Sequence, residues 1–161
     1  MLYRKSKLED KDKIEELLSL RFGKRPTALK RLEDRYYLCF DGETLVAMTG
    51  LCKHQEDTVY NGYEIDWTCV RPGYEGLGII SSMVKFVVSL ESKDIYCSCW
   101  KWDKNAKVNL HSAMEACGFV KVIDSKIHHS AKHCRDCKEV CIRYTPDCEC
   151  WEDLYLRKVT V

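Results

Sequence analysis

Apolar and polar residues alternate with a period of two in several short stretches of this chain, which is the pattern of half-buried strands. Other stretches place apolar residues three or four positions apart, as amphipathic helices do. The predicted strands are residues 1–7, 36–40, 44–52, 63–70, 95–102, 119–127 and 151–159. The predicted helices are residues 8–20, 27–35, 79–90 and 105–117. The pattern therefore predicts a mixed α/β (α+β) chain, with Asp41 and Gly42 in a hairpin turn between the second and third strands.

The most informative stretch is a strand, a glycine-rich turn and a strongly apolar helix between residues 63 and 90. The strand ends at Val70, and the turn is built on Pro72 and Gly73. The helix begins after Gly76 and Gly78. This arrangement directs main-chain N–H groups and a helix dipole at an anion, usually a phosphate. The alternative is a tight strand-to-helix turn that binds no ligand.

Composition narrows the class of protein. The chain has 161 residues, so residues 1–161 are predicted to form a single domain with a sizeable core. Lys and Arg number 26, Asp and Glu number 25, and the net charge of +1 argues against nucleic acid or membrane partners. The charged N-terminus does not resemble a signal peptide, and no apolar run reaches transmembrane length. With eleven cysteines, we therefore expect reduced thiols or a bound metal in a cytoplasmic protein.

The order Val-x-Pro-x-Tyr-x-Gly-x-Gly-Ile, which begins at Val70, resembles the acyl-CoA-binding segment of the GNAT superfamily of N-acyltransferases. The resemblance implies that acetyl-CoA is the donor and that loop amides bind its pyrophosphate. The implied donor-binding residues are Thr68, Cys69, Val70, Gly73, Tyr74, Glu75, Gly76, Leu77, Gly78 and Ile79. The family signature Gln/Arg-x-x-Gly-x-Gly/Ala falls on Glu75, Gly78 and Ile80. A carboxylate thus replaces the usual cation or amide, and a branched residue replaces the last small one.

A second motif, Ala-Cys-Gly-Phe at residues 116–119, ends the fourth predicted helix and also resembles this superfamily. Gly118 is predicted to end that helix in a left-handed conformation. With the order of elements, the resemblance covers nearly the whole chain. It implies a GNAT-type fold, in which a central, twisted, mostly antiparallel sheet carries helices on both faces.

Glu64 is the candidate general base, with Asp66 as its substitute. Several histone-type members of the family carry a glutamate base six residues before the position of Val70, and that position is Glu64 here. Period-two geometry puts Glu64 and Asp66 on one face of the strand. Two neighbouring carboxylates can raise one pKa toward neutrality, which suits a group that deprotonates an ammonium. The alternative is that both are ordinary solvated residues.

The family's tyrosine acid corresponds to Met114, which cannot donate a proton and is interpreted as a core residue. Tyr74, Tyr96 and Tyr155 are alternative donors to the leaving thiolate. The resemblance implies that main-chain groups of residues 68–70 align the pantetheine arm and polarise the thioester carbonyl. No serine or cysteine nucleophile is then needed.

Residues 128–151 form a Cys- and His-rich segment that is predicted as an insertion between the last two strands. Two close cysteine pairs suit a tetrahedral zinc site, which would order a segment too polar to fold alone. The predicted ligands are Cys134, Cys137, Cys148 and Cys150, any one of which could be replaced by Cys141, His133 or His129. Free thiols, an iron–sulfur centre and a redox disulfide are alternatives.

The sequence favours an N-acetyltransferase that transfers an acetyl group from acetyl-CoA to a primary amine by direct transfer in a ternary complex. The amine belongs to a small molecule or a protein. The resemblance implies a V-shaped acceptor cleft beside Tyr96, Trp100 and Trp102, whose rings could bind a cationic or apolar acceptor. The alternative is a catalytically weak CoA-binding module, or a zinc- or thiol-sensing module, on the same scaffold.

Overall fold

The computed structural model describes residues 1–22, 36–53, 62–101, 110–130 and 149–158. A short 3₁₀ turn, Leu8–Asp10, precedes the first helix. The strands are β1 (Leu2–Lys5), β2 (Tyr36–Asp41), β3 (Thr44–Lys53), β4 (Tyr63–Val70), β5 (Ile95–Lys101), β6 (Val120–Ser130) and β7 (Glu149–Arg157). The helices are α1 (Lys11–Phe22), α2 (Ile79–Ser89) and α3 (His111–Ala116).

All seven strands join one sheet in the order β1-β2-β3-β4-β5-β7-β6. Every neighbouring pair is antiparallel except β4 and β5, which are parallel. The two parallel neighbours are connected through α2, as a parallel pair requires a crossover. The predicted mostly antiparallel sheet is therefore confirmed.

Helices cover both faces of the sheet, because strand residues alternate between two apolar clusters. On one face α1 buries an apolar stripe against β2, β3 and β4. That cluster includes Ile14, Leu17, Leu18, Leu38, Met48 and Cys69. On the other face α2 and α3 pack over β4, β5 and β7, in a cluster that includes Ile65, Val84, Val87, Cys97, Met114 and Tyr155. Among the helices in the described ranges, none combines the length and apolarity needed to cross a membrane.

The local predictions agree with these elements at most positions. The hairpin turn is confirmed with Gly42 at a φ of +55°, and Gly118 follows α3 at a φ of +81°. The predicted helix at residues 27–35 lies outside the described residues, as does the start of the predicted helix at residues 105–117. Strand β6 continues to Ser130 and strand β7 begins at Glu149, so both ends of the predicted insertion belong to strands.

Candidate functional site

Strands β4 and β5 pair over only part of their length. The register joins Tyr63–Ile65 to Ile95–Cys97, although β4 continues to Val70 and β5 continues to Lys101. Beyond Cys97, β5 remains paired with β7, so the two parallel strands diverge toward their C-terminal ends. This produces a V-shaped opening in the middle of the sheet, with the glycine loop at the end of its β4 arm. The edge of β4 that faces the opening has no strand partner in the described part of the chain.

A β-bulge bends β4 at the start of this opening. The register with β3 runs from Met48 opposite Cys69 to Gly50 opposite Asp66, so one residue of β3 faces two of β4. Within the bulge Trp67 has a φ of +42°, a left-handed conformation that costs a non-glycine residue roughly 1–2 kcal/mol. Strain of this kind is common at functional sites. The bulge also shifts the alternation of β4, so that side chains after it point to the opposite face of the sheet from those expected by period-two spacing.

Glu64 and Asp66 lie on the same face of β4, before the bulge. Their register partners on β3 are Cys52 and Gly50. The Cys52 thiol lies 3.7 Å from the Glu64 carbonyl oxygen and 3.8 Å from Asp66 Oδ2. Both carboxylate residues are half-buried, at the point where β4 leaves β5. The structure thus places these two residues together beside the opening.

The Asp66 carboxylate lies directly against the main chain of β3. A Cβ atom added to Gly50 would lie 1.9 Å from Asp66 Oδ1, which is far inside any contact distance. Glycine is therefore required at position 50 for Asp66 to keep this position.

Gly50→Ala is expected to displace the Asp66 carboxylate and to lower the free energy of unfolding by about 1–3 kcal/mol, a typical cost of overpacking. Urea denaturation measures this loss. In the Asp66→Ala background only the approach to the main-chain oxygen of residue 66, at 3.2 Å, remains, so Gly50→Ala should then cost less. Equal costs in both backgrounds would contradict the contact.

The loop after β4 presents its main chain to solvent. Gly73, Gly76 and Gly78 have φ values of +89°, +76° and +72°, and the space beside each Cα is open. α2 begins directly after Gly78, which has no side chain to cap the first-turn amides. The predicted succession of strand, glycine turn and helix is confirmed.

Glu75 folds back onto this loop. Its Oε2 accepts a hydrogen bond from the Gly73 amide at 2.6 Å, and its Oε1 accepts one from Arg21 Nη1 at 2.9 Å. Hydrogen bonds from its own amide and from that of Gly73 hold the pKa of Glu75 below its ordinary value, with a smaller contribution from Arg21. The carboxylate is thus ionised near the loop amides. Sequence reasoning did not identify Arg21, because it belongs to α1.

Buried thiols near the opening are poor nucleophiles. Burial raises the pKa of Cys69 to about 12. The pKa of Cys97 is also raised, first by its hydrogen bond with Cys99, whose Sγ lies 3.5 Å away, and then by burial. Because only the thiolate attacks a thioester, these cysteines remain protonated core residues at neutral pH.

The alternative proton donors have different surroundings. The Tyr155 hydroxyl is buried and lies 2.7 Å from His111 Nδ1. His111 is the first residue of α3, one turn before Met114, which is fully buried as expected of a core residue. The Tyr74 hydroxyl lies 3.4 Å from Asp41 Oδ2, away from the opening. Sequence reasoning named Tyr155 but missed His111, which has no motif of its own.

On the β5 side of the opening, Tyr96 stands opposite Glu64 and is buried. Two residues further on, the Ser98 hydroxyl donates a hydrogen bond to the buried carboxylate of Glu152 on β7. This polar pair was not predicted. The side chain of Trp100 and the whole of Trp102 lie outside the described residues.

The described residues contain no group of three or more His, Cys, Asp or Glu side chains placed to hold a metal ion. Cys150 is a partly buried residue of β7, and its register partner on β6 is His129. The other three predicted ligands, Cys134, Cys137 and Cys148, lie outside the described residues. Zinc therefore stays a prediction.

The chain is similar to known proteins in sequence and in structure. Residues 3–119 match the Acetyltransferase (GNAT) family. No curated protein matches the chain significantly in sequence. The structure resembles a GNAT-family acetyltransferase from Bacillus cereus ATCC 10987, with a TM-score of 0.66 and 14% identity over 99% of this chain and 98% of that one.

Two further structures have the same fold. An aminoglycoside 6'-N-acetyltransferase complexed with coenzyme A matches with a TM-score of 0.67 and 13% identity over 100% of this chain and 98% of that one. The ribosomal-protein-S18-alanine N-acetyltransferase from Escherichia coli matches with a TM-score of 0.70 and 9% identity over 99% and 94% of the respective chains. At these identities, the likeness shows that the predicted fold is correct.

Proposed function

The chain belongs to the Acetyltransferase (GNAT) family, and from this premise we propose that it transfers an acetyl group from acetyl-CoA to a primary amine within a ternary complex. The observation that carries the proposal is the V-shaped opening between β4 and β5. It joins a glycine loop suited to an anion with two carboxylates suited to an amine.

The donor would bind along β4. Its pyrophosphate would lie at the amides of residues 73–79, where the positive end of the α2 dipole favours an anion. Its pantetheine arm would follow the open edge of β4 toward Asp66, a distance of roughly 13 Å from Val70 at about 3.3 Å per residue. The thioester would then reach the bulge, where main-chain groups of residues 68–70 can hydrogen-bond to the arm and to the carbonyl oxygen.

Acyl transfer begins when the acceptor ammonium loses a proton. Glu64, with Asp66 beside it, takes this proton directly or through water. The neutral amine attacks the thioester carbonyl carbon, and its nitrogen then releases a second proton to water. The tetrahedral intermediate collapses by breaking the carbon–sulfur bond. The amide product forms and CoA leaves as a thiolate. The protonated Cys69 and Cys97 thiols support direct transfer over an acyl-cysteine intermediate.

We propose that Tyr155 donates a proton to the leaving thiolate and that His111, which is hydrogen-bonded to its hydroxyl, returns a proton to Tyr155. Ile65, Cys97 and Tyr155 form one row across β4, β5 and β7, and this is the last row in which β4 and β5 pair. The pair of proton carriers therefore lies at the level where the strands diverge. His111 is partly exposed and can exchange protons with water, which would restore the tyrosine after each turnover.

The acceptor is an amine that is cationic before reaction, because two half-buried carboxylates border the opening. Relatives named as aminoglycoside and protein-alanine N-acetyltransferases also act on amines, which supports this class of acceptor. The same carboxylates disfavour an anionic acceptor, since like charges repel strongly in a partly buried site.

Calorimetric titration with acetyl-CoA, followed by a screen of amines for release of free CoA, tests the proposal. Saturable binding and amine-dependent CoA release are expected. Binding without turnover on small amines and peptides would favour a catalytically weak CoA-binding module. If acetyl-CoA does not bind, the proposed function is wrong.

We also propose a structural zinc ion held by Cys134, Cys137, Cys148 and Cys150, and we expect about one zinc per chain in protein purified without a His-tag. The variant Cys134→Ser/Cys137→Ser should lose the metal and should lose stability or acceptor turnover, while its affinity for acetyl-CoA is kept. Elemental analysis measures the zinc content per chain. Cys117→Ser, which changes a cysteine outside the segment, is the control and should keep its zinc. Metal-free protein with all five thiols of the segment titratable would contradict the site.

A further inference from the structure

The amides of the glycine loop already hold an anion, which is the carboxylate of Glu75. One oxygen accepts a hydrogen bond from the Gly73 amide at 2.6 Å, and the other accepts a hydrogen bond from Arg21 Nη1 at 2.9 Å. The Glu75 side chain is 48% exposed and the Arg21 side chain is 35% exposed, so both can move without disturbing the core. The loop therefore contains a carboxylate where the family signature has a cation or an amide, and the cation comes from a different element.

A diphosphate and the Glu75 carboxylate cannot share this position. Both are anions, and two like charges at hydrogen-bonding distance from the same amides repel each other. For a donor diphosphate to reach the loop amides, Glu75 must release Gly73 and turn outward. Arg21 would then face the diphosphate with its hydrogen bond to Glu75 broken.

Packing fixes the end of α1 beside the loop. The Phe22 ring meets Trp67 on β4 edge to face, with ring centroids 5.6 Å apart. Earlier in α1, Glu16 Oε1 accepts a hydrogen bond from Arg71 Nη1 at 2.8 Å. Arg21 lies between these two anchors, so the position of its main chain relative to the loop is set by the fold.

The other arginine at the loop is already engaged. Arg71 Nε donates to the Leu45 carbonyl oxygen at 2.8 Å, and its Nη1 donates to Glu16. Its side chain is only 18% exposed. Arg21 is the more accessible of the two guanidinium groups, and the planar fork of such a group matches phosphate oxygens.

We propose that Arg21 is a donor-binding residue, whose guanidinium exchanges Glu75 for the diphosphate of acetyl-CoA when the donor binds. This inference rests on the proposed function and deepens it. Arg21 supplies from α1 a guanidinium group in place of the cation or amide that the family signature carries within the loop. Glu75 becomes a competitor that the diphosphate must displace, so the affinity for the donor depends on both residues.

Calorimetry with acetyl-CoA on Arg21→Gln, Glu75→Gln and the double variant tests the exchange. Glu75→Gln should tighten binding severalfold, because it removes the competing anion. Arg21→Gln should weaken binding about tenfold in the Glu75→Gln background, where the guanidinium acts on the ligand alone. It should weaken binding by less in the unmodified background, because there Arg21 must first give up its hydrogen bond to Glu75. Lys11→Gln, which removes one positive charge from the other end of α1, is the matched control and should bind as the unmodified protein does.

S-acetylpantetheine, which has no diphosphate, provides the second arm. The rate of acetyl transfer from S-acetylpantetheine, followed by the release of free pantetheine, should be unchanged by both substitutions. If Arg21→Gln has no effect in the Glu75→Gln background, Arg21 serves only Glu75 and the inference is overturned while the proposed function stands. If the unmodified chain binds no acetyl-CoA, the proposed function fails and this inference fails with it.

Discussion

Gly78→Val is expected to weaken acetyl-CoA binding by about 100-fold or more, because valine cannot adopt the left-handed conformation found there without strain. Gly78 has a φ of +72° and directly precedes α2. A Cβ at this position would meet no neighbouring atom, so the expected effect comes from the main chain alone. Relief of the strain would rotate the first-turn amides away from the donor. Calorimetric titration measures the loss.

Gly42 offers a matched control for this substitution. It has a φ of +55°, its surroundings are equally open, and it lies in the turn between β2 and β3. Gly42→Val should cost a comparable amount of stability and leave the affinity for acetyl-CoA unchanged. Unaltered affinity in Gly78→Val would show that the loop does not bind the donor.

Glu64→Gln is expected to lower kcat by about 10²-fold or more, within the range for loss of a general base. Glutamine keeps the shape and the hydrogen-bonding capacity of the side chain but cannot accept a proton from the ammonium. The dissociation constant for acetyl-CoA should not change, because the carboxylate acts on the acceptor. Release of free CoA at saturating donor measures kcat, and calorimetry measures donor affinity.

Two companion variants decide how this loss is interpreted. Glu43→Gln changes an exposed glutamate in the hairpin turn and should leave kcat unaltered. Asp66→Asn should have a smaller effect than Glu64→Gln. A full loss in Asp66→Asn with normal turnover in Glu64→Gln would move the base two residues along the same face of β4.

Local features of the fold were predictable from the sequence. The strand that ends at Val70, the glycines of the loop and the apolar stripe of α2 are all set by residues close together in the chain. The period-two alternation of the strand holds only as far as the bulge, because Ile65 and Cys69 pack in clusters on opposite faces of the sheet. Gly42 and Gly118 adopt the positive φ values for which glycine is suited, so the turn and the helix end could be predicted from residue type.

The contacts that complete the site could not be predicted, because they join distant residues. Arg21 and Glu75 are 54 positions apart, and His111 and Tyr155 are 44 apart. The bulge at Trp67 had no signal either, since tryptophan is not a residue that favours a left-handed conformation. The fit between Gly50 and Asp66 depends on the bulge-shifted register and could only be seen once β3 and β4 were paired.

The short junction between β4 and β5 has a consequence for the cooperativity of folding. Three register pairs connect a four-stranded half of the sheet to a three-stranded half, and the apolar cluster under α2 and α3 supplies the rest of the connection. A donor bound in the opening would contact both halves and take the place of the missing main-chain pairing. At a donor concentration 100 times its Kd, mass action adds about 2.7 kcal/mol to the free energy of unfolding. Amide exchange would then slow together on both sides of the junction, and the concentration of the donor would govern the rigidity of the molecule.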